Sequence, residues 1–110
     1  MVRLGTLLGG EARTFYGLSG LGDLMATCSS ADSRNHQAGV RLARGETLAA
    51  LTAAHLTAEG IPTVRAVARY AAAQGLELPI SGAVYDVVCR GRSPETVIGE
   101  LMLRDAKPEW

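Results

Sequence analysis

The sequence predicts an all-α domain, and three observations support that prediction. The chain has 110 residues, which is enough for one domain with a single modest core. Apolar residues make up 47% of the chain but aromatic residues only 5%, so helices packed closely through small side chains are favoured. In the second half, apolar residues recur with the period of an α-helix.

The first thirty residues predict two short helices around a glycine-rich loop. Residues 1–8 resemble the end of a helix, because no capping residue precedes their apolar side chains. A loop over residues 9–17 is opened by two glycines, which are typical of a helix C-terminus. A second short helix is expected over residues 20–28, and the polar residues 29–32 then end it.

Two further helices are predicted over the middle of the chain. Asp32 or Ser33 can accept a hydrogen bond from the first free amides of a helix that runs through Leu42 and ends at Gly45. Another short helix fits residues 47–55, and its apolar residues are Leu48, Leu51 and Leu56.

Two helices in the second half are predicted from periodicity. The first places Val64, Val67, Ala68 and Ala71 on one face and ends at Gly75. The second has the same spacing at Ile80, Ala83, Val84, Val87 and Val88. Its β-branched residues would also suit a strand, but strand alternation would place Asp86 on the same face as Val84 and Val88. The spacing therefore favours a helix.

Prolines and a serine cap predict the remaining boundaries. The residues before Pro62 and Pro79 are disfavoured in helical geometry, so both prolines are expected to mark junctions. Ser93 is a capping residue, Pro94 suits the first helical position, and an acid follows near the positive helix end. The last helix is thus expected to run to about Arg104.

Charge and cysteine content exclude several classes of function. Eleven basic residues balance eleven acidic ones, so no overall field favours nucleic acid or an anionic membrane. The sequence shows neither an apolar stretch of membrane-spanning length nor a signal peptide, and a cytoplasmic location is expected. Cys28 and Cys89 lack further ligands at zinc spacing. They are expected to be reduced thiols inclined toward the core, with no metal site.

A candidate binding site combines the glycine-rich run 17–24 with the cluster Ser33-Arg34-Asn35. A helix N-terminus offers unpaired amides and partial positive charge to a phosphate. Arg34 can grip phosphate oxygens through two hydrogen bonds, while Ser33 and Asn35 supply neutral donors. Asp23 can accept from a ligand hydroxyl. The alternatives are that Ser33 is only a cap, that Arg34 and Asn35 are surface residues, and that Asp23 only begins a helix.

The other candidate residues carry weaker signals. The glycine spacing over 17–22 is not a dinucleotide-binding fingerprint, because the order is reversed and no strand precedes it. His36 and His55 have no evident catalytic partners and are expected to be surface or helix-lining residues. Glu59 stands between two helical patterns, where a junction can project a carboxylate into a cleft, although a plain loop acid is the commoner case.

Several ordered motifs together resemble one family, over nearly the whole chain. They are Gly-Leu-Ser-Gly-Leu-Gly-Asp-Leu from Gly17, Thr27-Cys28, Ser33-Arg34-Asn35 with Gly39, Glu59-Gly60 with Thr63, Pro79-Ile80 and Leu101-Met102-Leu103-Arg104. The family is the bacterial-type NAD(P)-dependent glycerol-3-phosphate dehydrogenase, specifically its C-terminal helical domain. This resemblance implies a compact multi-helix fold like the C-terminal domain of 6-phosphogluconate-dehydrogenase-like enzymes.

The resemblance also implies a reaction and a set of contacts. Members of the family interconvert sn-glycerol 3-phosphate and dihydroxyacetone phosphate with NAD or NADP, and so supply glycerophospholipid synthesis. Asp23 matches the acid that contacts the glycerol part, and the residues around the substrate phosphate match Ser33, Arg34 and Asn35. The residues that match cofactor contacts are Arg34, Thr57 and Glu59. In the family, an apolar residue occupies the place of Thr57.

The resemblance also implies what residues 1–110 do not contain. The family's catalytic lysine and the glycine fingerprint of its N-terminal Rossmann domain both lie upstream of the segment that Met1 onward resembles. Lys107 is the single lysine of the sequence and matches no catalytic position. Residues 1–110 are therefore expected to be an N-terminally truncated substrate-binding domain, without dehydrogenase activity alone, because hydride transfer needs a fixed cofactor and a proton donor.

Two alternatives remain open at this point. One is a stand-alone helical module that keeps residual phosphate binding but acts by association. A surface normally covered by the missing domain would then be apolar and exposed, which favours a homo-oligomer. The other is the helical domain of a related hydroxyacid dehydrogenase, in which Ser33-Arg34-Asn35 would meet a carboxylate.

Overall fold

Residues 1–105 are described by a computed structural model, and in this part of the chain all regular secondary structure is helical. The prediction of an all-α domain is confirmed. The elements are α1 (Val2–Leu7), α2 (Ala12–Tyr16), a π-helical turn (Leu18–Gly22), α3 (Asp23–Ser29), α4 (Arg34–Ala43), α5 (Leu48–Ala53), α6 (Gly60–Gln74), α7 (Pro79–Arg90) and α8 (Pro94–Met102). Lys107 lies outside the described residues.

Side-chain caps begin three of the helices; those at Ser33 and Ser93 are predicted from the sequence, and the one at Thr47 is an addition from the structure. The Ser33 hydroxyl accepts from the His36 amide at 3.3 Å at the start of α4. The Thr47 hydroxyl accepts from the Ala50 amide at 3.1 Å before α5, and Ser93 accepts from Thr96 at 3.5 Å before α8. Each cap satisfies an amide that has no partner within its helix.

Left-handed residues end several helices. Gly75 follows α6 with φ +62°, and the next amide, from Leu76, donates back to the Ala71 carbonyl at 2.8 Å. After α5 the left-handed residue is His55, with φ +55°. A non-glycine residue at such a position is uncommon, although His is among the more tolerant types.

The main core cluster joins α4, α5 and the segment that leads into α6. Its buried members are Ala38, Leu51 and Ala58, and Leu51 is only 1% exposed. Half-buried apolar residues surround it, namely Leu42, Leu48, Leu56 and Ile61. Because α4 also contacts α3 and α8, this helix is the element around which the site residues are arranged.

Helices α6, α7 and α8 pack in chain order. The predicted face of α6 is confirmed, since Val64 and Ala71 are buried and Val67 and Ala68 half-buried. On α7 the prediction holds only toward the C-terminal end, where Val88 is buried. Ile80 is 74% exposed and Val84 is 45% exposed. The helical period is therefore correct for α7, and Ala83 is half-buried, but Ile80 and Val84 are left uncovered within residues 1–105.

The N-terminal segment differs from the prediction in two ways. The region expected to be a loop contains α2, and the next helix begins two residues early, with a π-helical turn at Leu18. Tertiary packing explains α2, because the Phe15 ring lies directly against Gly5 and Gly10, where a Cβ would overlap or crowd it. This contact connects α1 to α2 and outweighs the weak local propensity of five residues.

Two smaller predictions are also wrong. Pro62 does not mark a junction, because α6 begins at Gly60 and includes Ile61 and Pro62 in its first turn. A proline is tolerated there since the first amides of a helix have no intrahelical acceptor. Cys28 is exposed rather than inclined toward the core, whereas Cys89 is half-buried, and both are free thiols.

Gly20 lies against the backbone of Phe15, so this glycine is predicted to be essential for the π-helical turn. A Cβ at Gly20 would be 2.2 Å from the Phe15 carbonyl oxygen and 2.5 Å from its Cα. Because backbone atoms cannot swing aside, Gly20→Ala is expected to destabilise the chain by about 1–3 kcal/mol. Urea unfolding followed by circular dichroism measures this change.

The matched control for Gly20→Ala is Gly99→Ala on α8, where a Cβ would meet nothing within 4 Å. Alanine has the higher helix propensity, so this control is expected to be neutral or stabilising by up to about 1 kcal/mol. Equal stabilities for the two variants would show that the close contact at Gly20 does not constrain the turn.

Exposed apolar side chains are concentrated in the first three helices and the π-helical turn. Those in residues 1–25 are Met1, Leu7, Leu8, Tyr16, Leu18, Leu21, Leu24 and Met25, and Leu18 is 90% exposed. The other exposed large apolar residues of the described chain are spread over α6, α7 and the α8 region, namely Tyr70, Ile80, Val84, Ile98, Met102 and Leu103. Among residues 1–105, no helix has both the length and the apolar character needed to cross a membrane.

Candidate functional site

The N-terminus of α4 is the best-formed part of the candidate site. Ser33 caps it through its hydroxyl oxygen, and the next two backbone amides, of Arg34 and Asn35, donate no hydrogen bond within the described residues. These amides point out of the positive end of a ten-residue helix. The arrangement provides two backbone donors to an anion before any side chain contributes.

Arg34 lies at the first helical position of α4 and is exposed. Its guanidinium makes no ion pair or hydrogen bond within residues 1–105. The arginines at 41, 90, 92 and 104, in contrast, each pair with a carboxylate. The guanidinium N–H groups of Arg34 are therefore unused within the described residues, as are the two backbone amides.

Asn35 connects the start of α4 to the start of α6. Its side-chain oxygen accepts from the Gly60 backbone amide at 2.9 Å, across 25 residues of sequence. Glu59 precedes Gly60 and is the N-cap residue of α6. The structure thus brings the predicted cluster Ser33-Arg34-Asn35 and the predicted acid Glu59 to the same place, which the sequence alone does not indicate.

The N-terminus of α6 has no free backbone donor for an anion, unlike that of α4. The Gly60 amide bonds to Asn35, the Ile61 amide to the Ala58 carbonyl at 3.1 Å, and the Thr63 amide to the Glu59 carbonyl at 3.3 Å. The residue between them, Pro62, has no amide hydrogen. Of the two helix ends at this junction, α4 is therefore the one that offers unbonded amides to an anion.

Thr57 and Glu59 are both exposed on the segment between α5 and α6. No hydrogen bond or ion pair within residues 1–105 uses either side chain. Thr57, but not Glu59, lines an open cavity of about 370 Å³, whose lining also includes His55 and Arg65. The Arg65 side chain is held by a hydrogen bond of 3.3 Å from Nε to the Cys89 sulfur.

Asp23 is the first residue of α3 and is exposed. Its carboxylate has no partner within the described residues, and α3 contacts α4. The π-helical turn Leu18–Gly22 runs directly into α3, so Asp23 lies inside a continuous helical segment and the alternative that it only begins a helix does not hold. Its unpaired carboxylate is available to a ligand hydroxyl.

The ion pairs that shift pKa values lie outside this site. A hydrogen bond from Arg41 lowers the pKa of Glu46, and the same contact raises the pKa of Arg41. A hydrogen bond from Arg92 lowers the pKa of Glu100, and Arg92, which also bonds Asp86, has its pKa raised. These pairs connect neighbouring segments at the surface.

A second cavity, of about 310 Å³, lies between α7 and α8 and shares no residue with the candidate site. Its charged residues are all in ion pairs, Glu77 with Arg104 in the lining itself, and Asp86 and Glu100 with Arg92 outside it. His36 and His55 are exposed. Within the part of the chain that the structure describes, no cluster of three or more His, Cys, Asp or Glu residues could hold a metal ion.

Comparisons with known proteins agree on one family. Residues 1–99 match the family model described as the C-terminus of NAD-dependent glycerol-3-phosphate dehydrogenase. The glycerol-3-phosphate dehydrogenase [NAD(P)+] of Synechococcus elongatus is 53% identical over 110 residues, which are 99% of this chain and 36% of that protein. The Nostoc sp. enzyme of the same name is 49% identical over 111 residues.

A solved structure gives the same result for the fold. The crystal structure of glycerol-3-phosphate dehydrogenase from Coxiella burnetii aligns with a TM-score of 0.87 at 32% identity. The alignment covers 93% of this chain and 32% of that one. The chain thus spans about a third of the length of the relatives that it matches.

Proposed function

The chain belongs to the family of C-terminal domains of NAD-dependent glycerol-3-phosphate dehydrogenase, and on this basis we propose that it forms the substrate-binding part of such an enzyme. The proposed reaction is the interconversion of sn-glycerol 3-phosphate and dihydroxyacetone phosphate with NAD or NADP. The observation that carries the proposal is the N-terminus of α4, where two unbonded amides lie beside an unpaired arginine.

The phosphate of the substrate would bind at this helix end. The backbone amides of Arg34 and Asn35 donate to its oxygens, and the Arg34 guanidinium adds charge-assisted hydrogen bonds. The Ser33 hydroxyl accepts from His36 and keeps its own hydrogen for donation. The two backbone amides are held in place by the helix, so this part of the site needs little rearrangement to receive a dianion, whereas the exposed Arg34 side chain would become ordered on binding.

The other polar side chains of the candidate site would bind the glycerol part of the substrate and the cofactor. The Asp23 carboxylate would accept hydrogen bonds from the hydroxyls of the glycerol part. Thr57 lines the 370 Å³ cavity, and Glu59 is exposed two residues further along the chain. The Thr57 hydroxyl and the Glu59 carboxylate would bind hydroxyl and amide groups of a nicotinamide nucleotide. Arg34 would contact both substrate and cofactor, whose nicotinamide supplies or accepts the hydride when bound.

The chain alone is predicted to have no dehydrogenase activity, because neither the family's catalytic lysine nor its dinucleotide fingerprint has a counterpart in residues 1–110. Purified chain is expected not to oxidise NADH or NADPH with dihydroxyacetone phosphate. A chimera in which residues 1–110 replace the matched third of the Synechococcus elongatus relative is expected to restore turnover. The change in absorbance of the reduced nicotinamide measures turnover by the purified chain and by the chimera.

An inactive but folded chimera would contradict the proposed function, and turnover by the chain alone would contradict the assignment of catalysis to another segment. The unmodified relative is the control for the assay. Substrate selectivity is tested in the same chimera with a hydroxyacid in place of glycerol 3-phosphate. A preference for the hydroxyacid would favour the related dehydrogenase class.

The proposal extends to partners and location. The ligands are the phosphorylated polyol and the nicotinamide nucleotide, with no nucleic acid, and the location is cytoplasmic. The exposed apolar side chains of α1, α2, the π-helical turn and α3 would pack on a cofactor domain or on a second copy in a homo-oligomer. They also favour the second candidate, an association module, which an inactive chimera together with a self-associating chain would support.

A further inference from the structure

We propose that Asn35 and the Gly60 backbone amide form a latch that positions the phosphate site on α4 relative to the cofactor side of the site at Glu59. The latch is the 2.9 Å hydrogen bond from the Gly60 amide to the Asn35 side-chain oxygen. This inference rests on the proposed function and names two positioning groups within that site.

The latch determines the orientation of the Asn35 carboxamide. A backbone amide can only donate, so the group that meets Gly60 must be the side-chain oxygen and not the nitrogen. The NH₂ group of Asn35 is then left as a donor, and no acceptor within residues 1–105 uses it. Asn35 therefore presents a donor of known orientation next to the two unbonded amides of α4.

The contact requires a residue without a Cβ at position 60. A Cβ at position 60 would be 2.9 Å from the Asn35 Oδ1 and 3.2 Å from its Cγ. Any larger residue would therefore push the carboxamide away from the amide to which it bonds. The Pro62 that follows also removes a competing donor from this turn.

The latch connects two parts of the site that are far apart in sequence. Arg34 is the neighbour of Asn35 on α4, and Glu59 is the neighbour of Gly60 at the start of α6. A shift at either end would change the separation between the phosphate donors and the Glu59 carboxylate. Asn35 and Gly60 would thereby keep the distance between the substrate contacts on α4 and the cofactor contact at Glu59 constant.

The first test is Gly60→Ala in the chimera with the Synechococcus elongatus relative. This variant retains every group proposed to touch a ligand, but its Cβ displaces the Asn35 carboxamide. We expect the KM for dihydroxyacetone phosphate to rise about five- to tenfold, which is the factor for one net hydrogen bond, with kcat changed less than twofold. The control is Gly39→Ala on α4, where a Cβ meets nothing within 4 Å.

The second test is a double-mutant cycle of Gly60→Ala and Asn35→Ala. If Gly60 acts through Asn35, adding Gly60→Ala to Asn35→Ala is expected to raise the KM no further. Additive effects on the KM would overturn the latch, because they would show that Gly60 acts through another contact. A KM for Gly60→Ala equal to that of Gly39→Ala would overturn it as well.

Hydrogen exchange of the Gly60 amide tests the contact without using activity. The amide is expected to be protected in the folded chimera and to exchange at least tenfold faster in Asn35→Ala; an unchanged rate overturns the latch. Failure of the proposed function is distinguishable from this result. If Arg34→Ala leaves the KM unchanged while the Gly60 results hold, the assignment of the phosphate to Arg34 fails, whereas the Asn35–Gly60 contact and its effect on the KM are retained.

Discussion

Arg34→Ala is expected to raise the KM for dihydroxyacetone phosphate about ten- to hundredfold in the chimera. Hydrogen bonds to charged groups contribute about 1.5–3 kcal/mol each, and this variant removes a guanidinium that no residue of the described chain engages. The two backbone amides remain, so binding is weakened and not abolished. Initial rates at varied dihydroxyacetone phosphate give the KM.

Two further variants define what Arg34 contributes. Arg34→Lys keeps the charge but loses the planar pair of donors, so its KM is expected to lie between those of the unmodified chimera and Arg34→Ala. Arg44→Ala removes an exposed arginine at the opposite end of α4 and is expected to leave the KM within twofold. Equal effects of the two alanine substitutions would indicate a general charge effect and would remove Arg34 from the site.

Leu51→Ala is expected to destabilise the chain by about 2–5 kcal/mol. Leu51 is only 1% exposed, and the buried residues packed with it are Ala38 and Ala58, which are too short to fill a cavity. A domain of this size is stable by about 5–15 kcal/mol, so the variant loses a large fraction of its stability. Urea unfolding of the 110-residue chain, monitored by circular dichroism, measures the loss.

Leu103→Ala provides the comparison, because Leu103 is 88% exposed just after α8. The same number of atoms is removed, but the side chain is already in water, so a change below about 0.5 kcal/mol is expected. If the two variants unfolded at the same urea concentration, the cluster around Leu51 would not be the core of the domain.

Most helices were predictable because their signals are local. Serine caps identify α4 and α8, apolar residues identify α5, and periodicity identifies α6 and α7. The helix α2 was not predictable in this way, because it depends on the Phe15 ring packing against Gly5 from a preceding helix. The exposure of Cys28 likewise follows from the packing of α3 and not from residue type.

The candidate site was likewise predictable only where its signals are local. Ser33, Arg34 and Asn35 are consecutive, and the capping rule that places Ser33 also places the next two amides at the helix end. The proximity of Glu59 to this cluster depends on a hydrogen bond across 25 residues. A single sequence has no periodic or capping signal for such a contact. The one local feature that agrees with a close contact here is Gly60, directly after Glu59.

The central claim is that the N-terminus of α4 binds the phosphate of the substrate. A crystal structure of the chimera with sn-glycerol 3-phosphate and NAD tests it directly. We expect phosphate oxygens within hydrogen-bond distance of the Arg34 and Asn35 amides and of the Arg34 guanidinium. A phosphate bound elsewhere, with this helix end open to solvent, would contradict the account.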